Sequence, residues 1–201
     1  MRFQPADRGA AITKTLIIAN VLVYASTSFL GKDFMVTSFH LVALFGQNNY
    51  LIGRGWIWQL LTALFIHLNI LHLLGNMLFL LIYGVRTEEI LSKSRYVLVY
   101  FGSGLAGNLL SLGLGPSSIS AGASGAIFGL FGASVVYLGK SLGQSIKAAL
   151  IYSFYLFMLT LGANVNFLAH FGGLAFGLVI GYWFARIDRR KAGALMMDED
   201  A

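Results

Sequence analysis

The chain has 201 residues, of which 57% are hydrophobic and 11% charged, with no cysteine and a formal net charge of +6. Its mean hydropathy is +0.75. A soluble domain carries about 25% charged residues, so this much apolar surface excludes a single water-soluble core and makes lipid the main solvent, while the missing cysteines exclude disulfide frameworks, thiolate metal sites and a cysteine nucleophile.

The basic residues lie between apolar runs rather than on one patch, which argues against a nucleic-acid partner. Arg2, Arg8 and Lys14 precede the first apolar stretch. That arrangement imitates a signal peptide, but it recurs along the chain. The stretch Thr15–Leu30 is therefore read as a retained first span, after a cytoplasmic segment 1–14. A spanning helix needs about 20 mostly apolar residues, and backbone in hydrocarbon must satisfy its own hydrogen bonds, which forces helix. Five further spans follow: Leu60–Tyr83, Tyr96–Leu114, Ala121–Gly139, Ser145–Ala163 and Phe167–Ile187. The expected fold is an all-α, six-span membrane bundle over 15–187 with a cytoplasmic tail, 188–201. The tail end Met196–Ala201 is expected to be disordered. No tandem repeat is visible.

The stretch Gly31–Gln59 reads as a long outer loop. It is apolar enough (Phe34, Met35, Phe39, Leu41, Val42) to lie partly in the membrane interface, where Trp56 and Trp58 suit the headgroup level. His40 reads as an interface residue of that loop. Lys and Arg near the span ends set orientation. One side would hold twelve (Arg2, Arg8, Lys14, Arg86, Lys93, Arg95, Lys140, Lys147, Arg186, Arg189, Arg190, Lys191) and the other only Lys32 and Arg54. Both termini are therefore expected in the cytoplasm, and the Arg189–Lys191 run is read as an anchor.

Polar groups inside spans are costly and mark function. All eight acids fall outside the predicted span cores. Away from the span ends, the acids and basic residues are represented only by His67, His72 and His170, joined by Asn69, Asn76 and Asn108. The second, fourth and sixth spans enter from the outer face, so His72, Asn76, Ser124 and His170 share one outer depth. Gly125, Gly129 and Ala133 are spaced by four, as are Gly173, Gly177 and Gly181. Such ridges of small residues let two helices approach closely, which would bring the Ser124 hydroxyl toward the His170 imidazole. A serine hydroxyl becomes nucleophilic when a neighbouring base takes its proton. No carboxylate lies at that depth, so the pattern predicts a Ser124–His170 dyad. Asn76, His72 and the Ser124 backbone N–H would be oxyanion donors. His67 is expected to support the outer loop by hydrogen bonding. The aromatic group Tyr152, Phe154, Tyr155 and Phe157 in the fifth span is read as lipid-facing bulk, or as a gate admitting a substrate helix sideways.

These residues resemble the rhomboid family of intramembrane serine proteases. The likeness lies in HLNILHLLGNM (His67–Met77), GASG (Gly122–Gly125) and AHFGGLAFG (Ala169–Gly177), and more weakly in Glu88, placed in the loop after the second span where the family has a structural acid. The resemblance implies a nucleophile at Ser124, a general base at His170 and an oxyanion hole lined by Asn76 and His72. It further implies cleavage of single-pass membrane proteins in or near their spanning segments, with small residues favoured at the cut and helix-destabilising residues beyond it. No cofactor and no metal are implied. Two positions depart from patterns seen in some members: Gln59 follows Trp58 where they have arginine, and Phe128 stands where they have tyrosine against the base. The rival functions are an inactive relative that binds membrane proteins without cutting them, a histidine-lined transporter and an intramembrane metalloprotease. Both Ser124 and His170 are present, the polar groups lie toward one face rather than the midplane, and no H-E-x-x-H occurs. A six-span chain of this kind fits a prokaryotic inner membrane.

Overall fold

A computed structural model describes residues 9–141, 147, 151 and 165–199. Apart from Lys147 and Ile151, the predicted fifth span and its aromatic group lie outside these residues. The chain is mostly helical. Among the described residues, four helices are long and apolar enough to cross a membrane: Ala11–Gly31, Ile70–Ile90, Lys93–Leu114 and Phe167–Arg190.

The first helix, α1 (Ala11–Gly31), starts four residues before the predicted span. Its N-terminal amides find a distant partner. Glu88 accepts from the Ile12 and Thr13 amides at 2.9 and 2.8 Å and from the Thr13 hydroxyl at 2.7 Å. Glu88 thus lies in a helix, α6 (Val85–Ile90), and not in the expected loop. It caps another element's orphan donors.

The loop between the first two spans is built, not loose. It holds α2 (Phe39–Phe45), β1 (Gln47–Asn48), α3 (Asn49–Ile52) and α4 (Gln59–Thr62). Strand β1 pairs antiparallel with β2 (Ile119–Ser120), just ahead of the GASG segment. Gln59, fully buried, donates to the Ala43 and Leu44 carbonyls and accepts from the Asn48 amide. Asn49 donates to the Ser111 and Gly115 carbonyls. The loop and the approach to Ser124 are therefore one hydrogen-bonded unit. His40 is exposed in α2, in keeping with an interface position.

The second span differs from the expected Leu60–Tyr83. After α4 and a 3-10 turn (Ala63–Phe65) the backbone becomes extended, and helix resumes only at Ile70, as α5 (Ile70–Phe79). Cross-chain pairing holds the break open: the Thr37 amide bonds the Leu68 carbonyl, and the Ile70 amide the Met35 carbonyl. A π-turn (Leu80–Gly84) then joins α5 to α6. The Thr87 hydroxyl sits 2.6 Å from the Tyr83 carbonyl in this turn and 3.1 Å from that of Leu130.

Helices α7 (Lys93–Ser111), α8 (Ser124–Ser141) and α9 (Phe167–Glu199) form the core. Helix α9 continues to Glu199, so Met196–Glu199 is helical where disorder was expected. Gly125 through Ser134 of α8 are all buried. A helix enclosed by protein needs no uniform apolarity, which is why α8 can carry so many glycines. A Cβ on Gly173 would strike the Gly125 carbonyl, one on Gly177 the Gly129 carbonyl, and one on Gly181 the Ala133 carbonyl. The two ridges seen in the sequence therefore face each other residue for residue. Gly107 of α7 meets Ala169 of α9 in the same manner.

Candidate active site

Ser124 is the first residue of α8. Its backbone N–H therefore lacks an intrahelical partner. Gly122, two residues earlier, has φ +127, a left-handed value that disfavours any side chain. A Cβ there would also lie 2.8 Å from the His72 ring. The Gly122 amide bonds the Ala63 carbonyl at 2.9 Å, pinning the turn to the segment before α5.

His170 sits in the first turn of α9, mostly buried. Its Nε2 is 2.7 Å from Ser124 Oγ. The Phe128 ring stacks on the imidazole, with centroids 4.6 Å apart and planes 27° apart. The phenyl ring thus packs against the base although it has no hydroxyl.

Helix α5 supplies the opposite wall. Asn69, extended at the N-cap, accepts from the His72 amide at 2.8 Å. His72 Nδ1 accepts from the Leu68 amide. A neutral imidazole accepting at Nδ1 carries its proton on Nε2, the nitrogen on the Gly122 side. One turn on, Asn76 Nδ2 donates to the His72 carbonyl at 2.9 Å. That fixes the amide while leaving its second N–H available.

The structure thus brings Ser124, His170, His72 and Asn76 around one cavity of about 710 Å³. His67 stands apart from the cavity lining. Its loop support runs through its backbone carbonyl, which accepts from the Thr37 hydroxyl at 2.7 Å. Its ring is buried and packs edge-on 5.2 Å from that of His72. Asn108 braces α4, donating to the Leu60 carbonyl at 2.7 Å.

One positioning residue escaped the sequence analysis. Asn166 accepts from the Ala169 amide and so caps α9, while its amide donates to the hydroxyls of Ser111 and Ser120. It ties the helix carrying His170 to α7 and β2. The available signal was an Asn immediately before an apolar helical run.

The Rhomboid domain model matches residues 54–187, more than half of the chain. The Bacillus subtilis protein named "Putative rhomboid protease YdcA" is 34% identical over 70% of this chain and 73% of its own length. Rhomboid-like protease 3 of Toxoplasma gondii is 29% identical, covering 82% of this chain and 66% of the relative. RHOMBOID-like protein 1 of Arabidopsis thaliana is 35% identical, covering 86% and 53%. The chain therefore spans about half to two thirds of the last two.

Proposed function

Because the chain belongs to the rhomboid family, we propose that it is an intramembrane serine endopeptidase acting on the spanning segments of other membrane proteins. The observation that carries this is the 2.7 Å contact between Ser124 Oγ and His170 Nε2, contributed by two different helices.

Ser124 Oγ attacks the scissile carbonyl carbon while His170 Nε2 takes the hydroxyl proton. The carbonyl electron pair moves to oxygen. That oxyanion is met by the Ser124 backbone N–H, the His72 Nε2–H and an Asn76 amide N–H, donors already oriented before substrate arrives. Collapse re-forms the carbonyl and breaks the C–N bond, and His170 delivers its proton to the leaving amine. The resulting acyl-Ser124 ester is hydrolysed by a water whose proton passes to His170 and then back to Ser124. Phe128 packs against the imidazole and Asn166 holds the start of its helix.

The test is cleavage of a fluorescent spanning-segment peptide by the detergent-solubilised protein. Ser124→Ala and His170→Ala should each abolish cleavage, and a serine-reactive fluorophosphonate should label the wild type but not Ser124→Ala. Wild-type rates in either variant would overturn the assignment.

A further inference from the structure

One peptide unit, the one joining His67 to Leu68, lies between the outer loop and the His72 ring. Its N–H donates to His72 Nδ1 at 3.4 Å. Its carbonyl oxygen accepts from the Thr37 hydroxyl at 2.7 Å. Thr37 grips the next carbonyl as well, its own amide donating to Leu68 O at 2.9 Å. In a continuous helix the Leu68 N–H would bond the carbonyl four residues earlier. The extended backbone from Ile66 onward frees it for a side chain instead.

A trans peptide is planar, with its N–H and C=O on opposite edges. Anchoring the oxygen therefore aims the N–H. A donor on the carbonyl also polarises the amide and strengthens the hydrogen bond that its N–H makes. Thr37 is buried, yet it is not part of the cavity lining. It can reach the chemistry only through this peptide. The segment that carries Thr37 is itself held on both sides. Asp33 accepts from the Met35 and Val36 amides at 2.8 and 3.2 Å. The Tyr24 hydroxyl of α1 donates to the Phe34 carbonyl at 3.0 Å, and the Ile70 amide bonds the Met35 carbonyl at 3.1 Å. The hydroxyl is thus a fixed donor, not a wandering one.

We propose that Thr37 is a positioning residue for the reaction: through the 67–68 peptide, its hydroxyl holds His72 with the proton on Nε2, where the oxyanion forms. The effect on rate rests on the protease reading above; the hold on the imidazole does not.

The test pairs kinetics with ring nitrogen-15 spectra of the histidine-labelled, detergent-solubilised protein at neutral pH. The chain has four histidines, and His72→Ala identifies the His72 signals by their loss. The wild type should show His72 Nδ1 unprotonated and Nε2 protonated. Thr37→Val keeps the shape and the amide but lacks the hydroxyl. It should move the Nδ1 signal toward the protonated position and lower kcat on the spanning-segment peptide by about tenfold or more, toward the 10²–10³ that loss of a whole oxyanion donor costs. KM should not change. Thr37→Ser should restore both readings. In a His72→Ala background, Thr37→Val should cost nothing further, because the two act through one donor. Thr37→Ala gives the same readings where Thr37→Val does not fold. A wild-type spectrum with the proton on Nδ1 overturns the proposal without any variant. So does a Thr37→Val protein with wild-type ring signals and kcat, or one whose kcat falls by the same factor with and without His72. Absence of cleavage by the wild type, or cleavage surviving Ser124→Ala, overturns the protease reading and with it the part of Thr37 in the reaction, while the ring signals still decide its hold on His72.

Discussion

Gly122 meets two demands at once: a left-handed backbone and bare space beside His72. Gly122→Ala would strain the turn that presents Ser124 and push the His72 imidazole away from the position proposed for the oxyanion. Loss of one such donor costs about 10²–10³ in rate. The expected result is a fall in kcat of that order with substrate binding retained, checked by steady-state kinetics on the peptide. Asn76→Ala should give a comparable fall in kcat with little change in KM, because its second N–H would bond only the developing charge. These side chains were legible in the sequence, since polar groups at one depth of an apolar chain have few other uses. The tautomer of His72 was not, because it is set by the Leu68 amide, a backbone contact across a helix start that side-chain types do not specify.

Helix against helix, the site stands on contact between backbones. The Gly177 Cα faces the Gly129 carbonyl so closely that a Cβ cannot be accommodated. Gly177→Leu must separate α8 from α9, and a displacement of about 1 Å at the reacting groups is enough to cost 10²-fold in rate. Val179, on the same helix but 70% exposed, should tolerate Val179→Leu at wild-type rate. Peptide cleavage by the two variants measures the difference. A second element-level prediction concerns α1. Glu88→Gln replaces one acceptor oxygen by a donor facing the α1 amides and the Thr13 hydroxyl. It should destabilise by about 1–3 kcal/mol, seen as a lower thermal midpoint in detergent. Glu89→Gln, whose partner Arg86 is half exposed, should change little. The glycine ridges were legible because their spacing has a single geometric meaning. The start of the second span was not. Leu60–Tyr83 is long and apolar enough to read as one span, and its helix breaks where the chain around Val36 pairs with the chain around Asn69.

At the level of the whole molecule, the two ends differ in chemistry. At one end, α7, α8 and α9 are clasped by Asp188, which receives both Arg95 guanidinium nitrogens at 2.6 and 2.9 Å and the Tyr137 hydroxyl at 2.9 Å. Lys14, Arg86, Lys93, Lys140 and Arg186 belong to helix ends on the same side. At the other end stand the cavity, the built loop and the stacked Trp56–Trp58 pair, 5.0 Å between centroids. Basic residues stay on the cytoplasmic side of membranes, so the Ser124 cavity should open on the opposite face. The chain has no cysteine, so single substitutions report position without background labelling. Tyr50 in α3 and Ser94 in the first turn of α7 are both exposed. In intact cells a membrane-impermeant maleimide should label Tyr50→Cys at once and Ser94→Cys only after permeabilisation. The reverse pattern would place the basic clasp outside and invert the orientation. Equal labelling of both in sealed cells would mean that the bundle does not hold a single orientation.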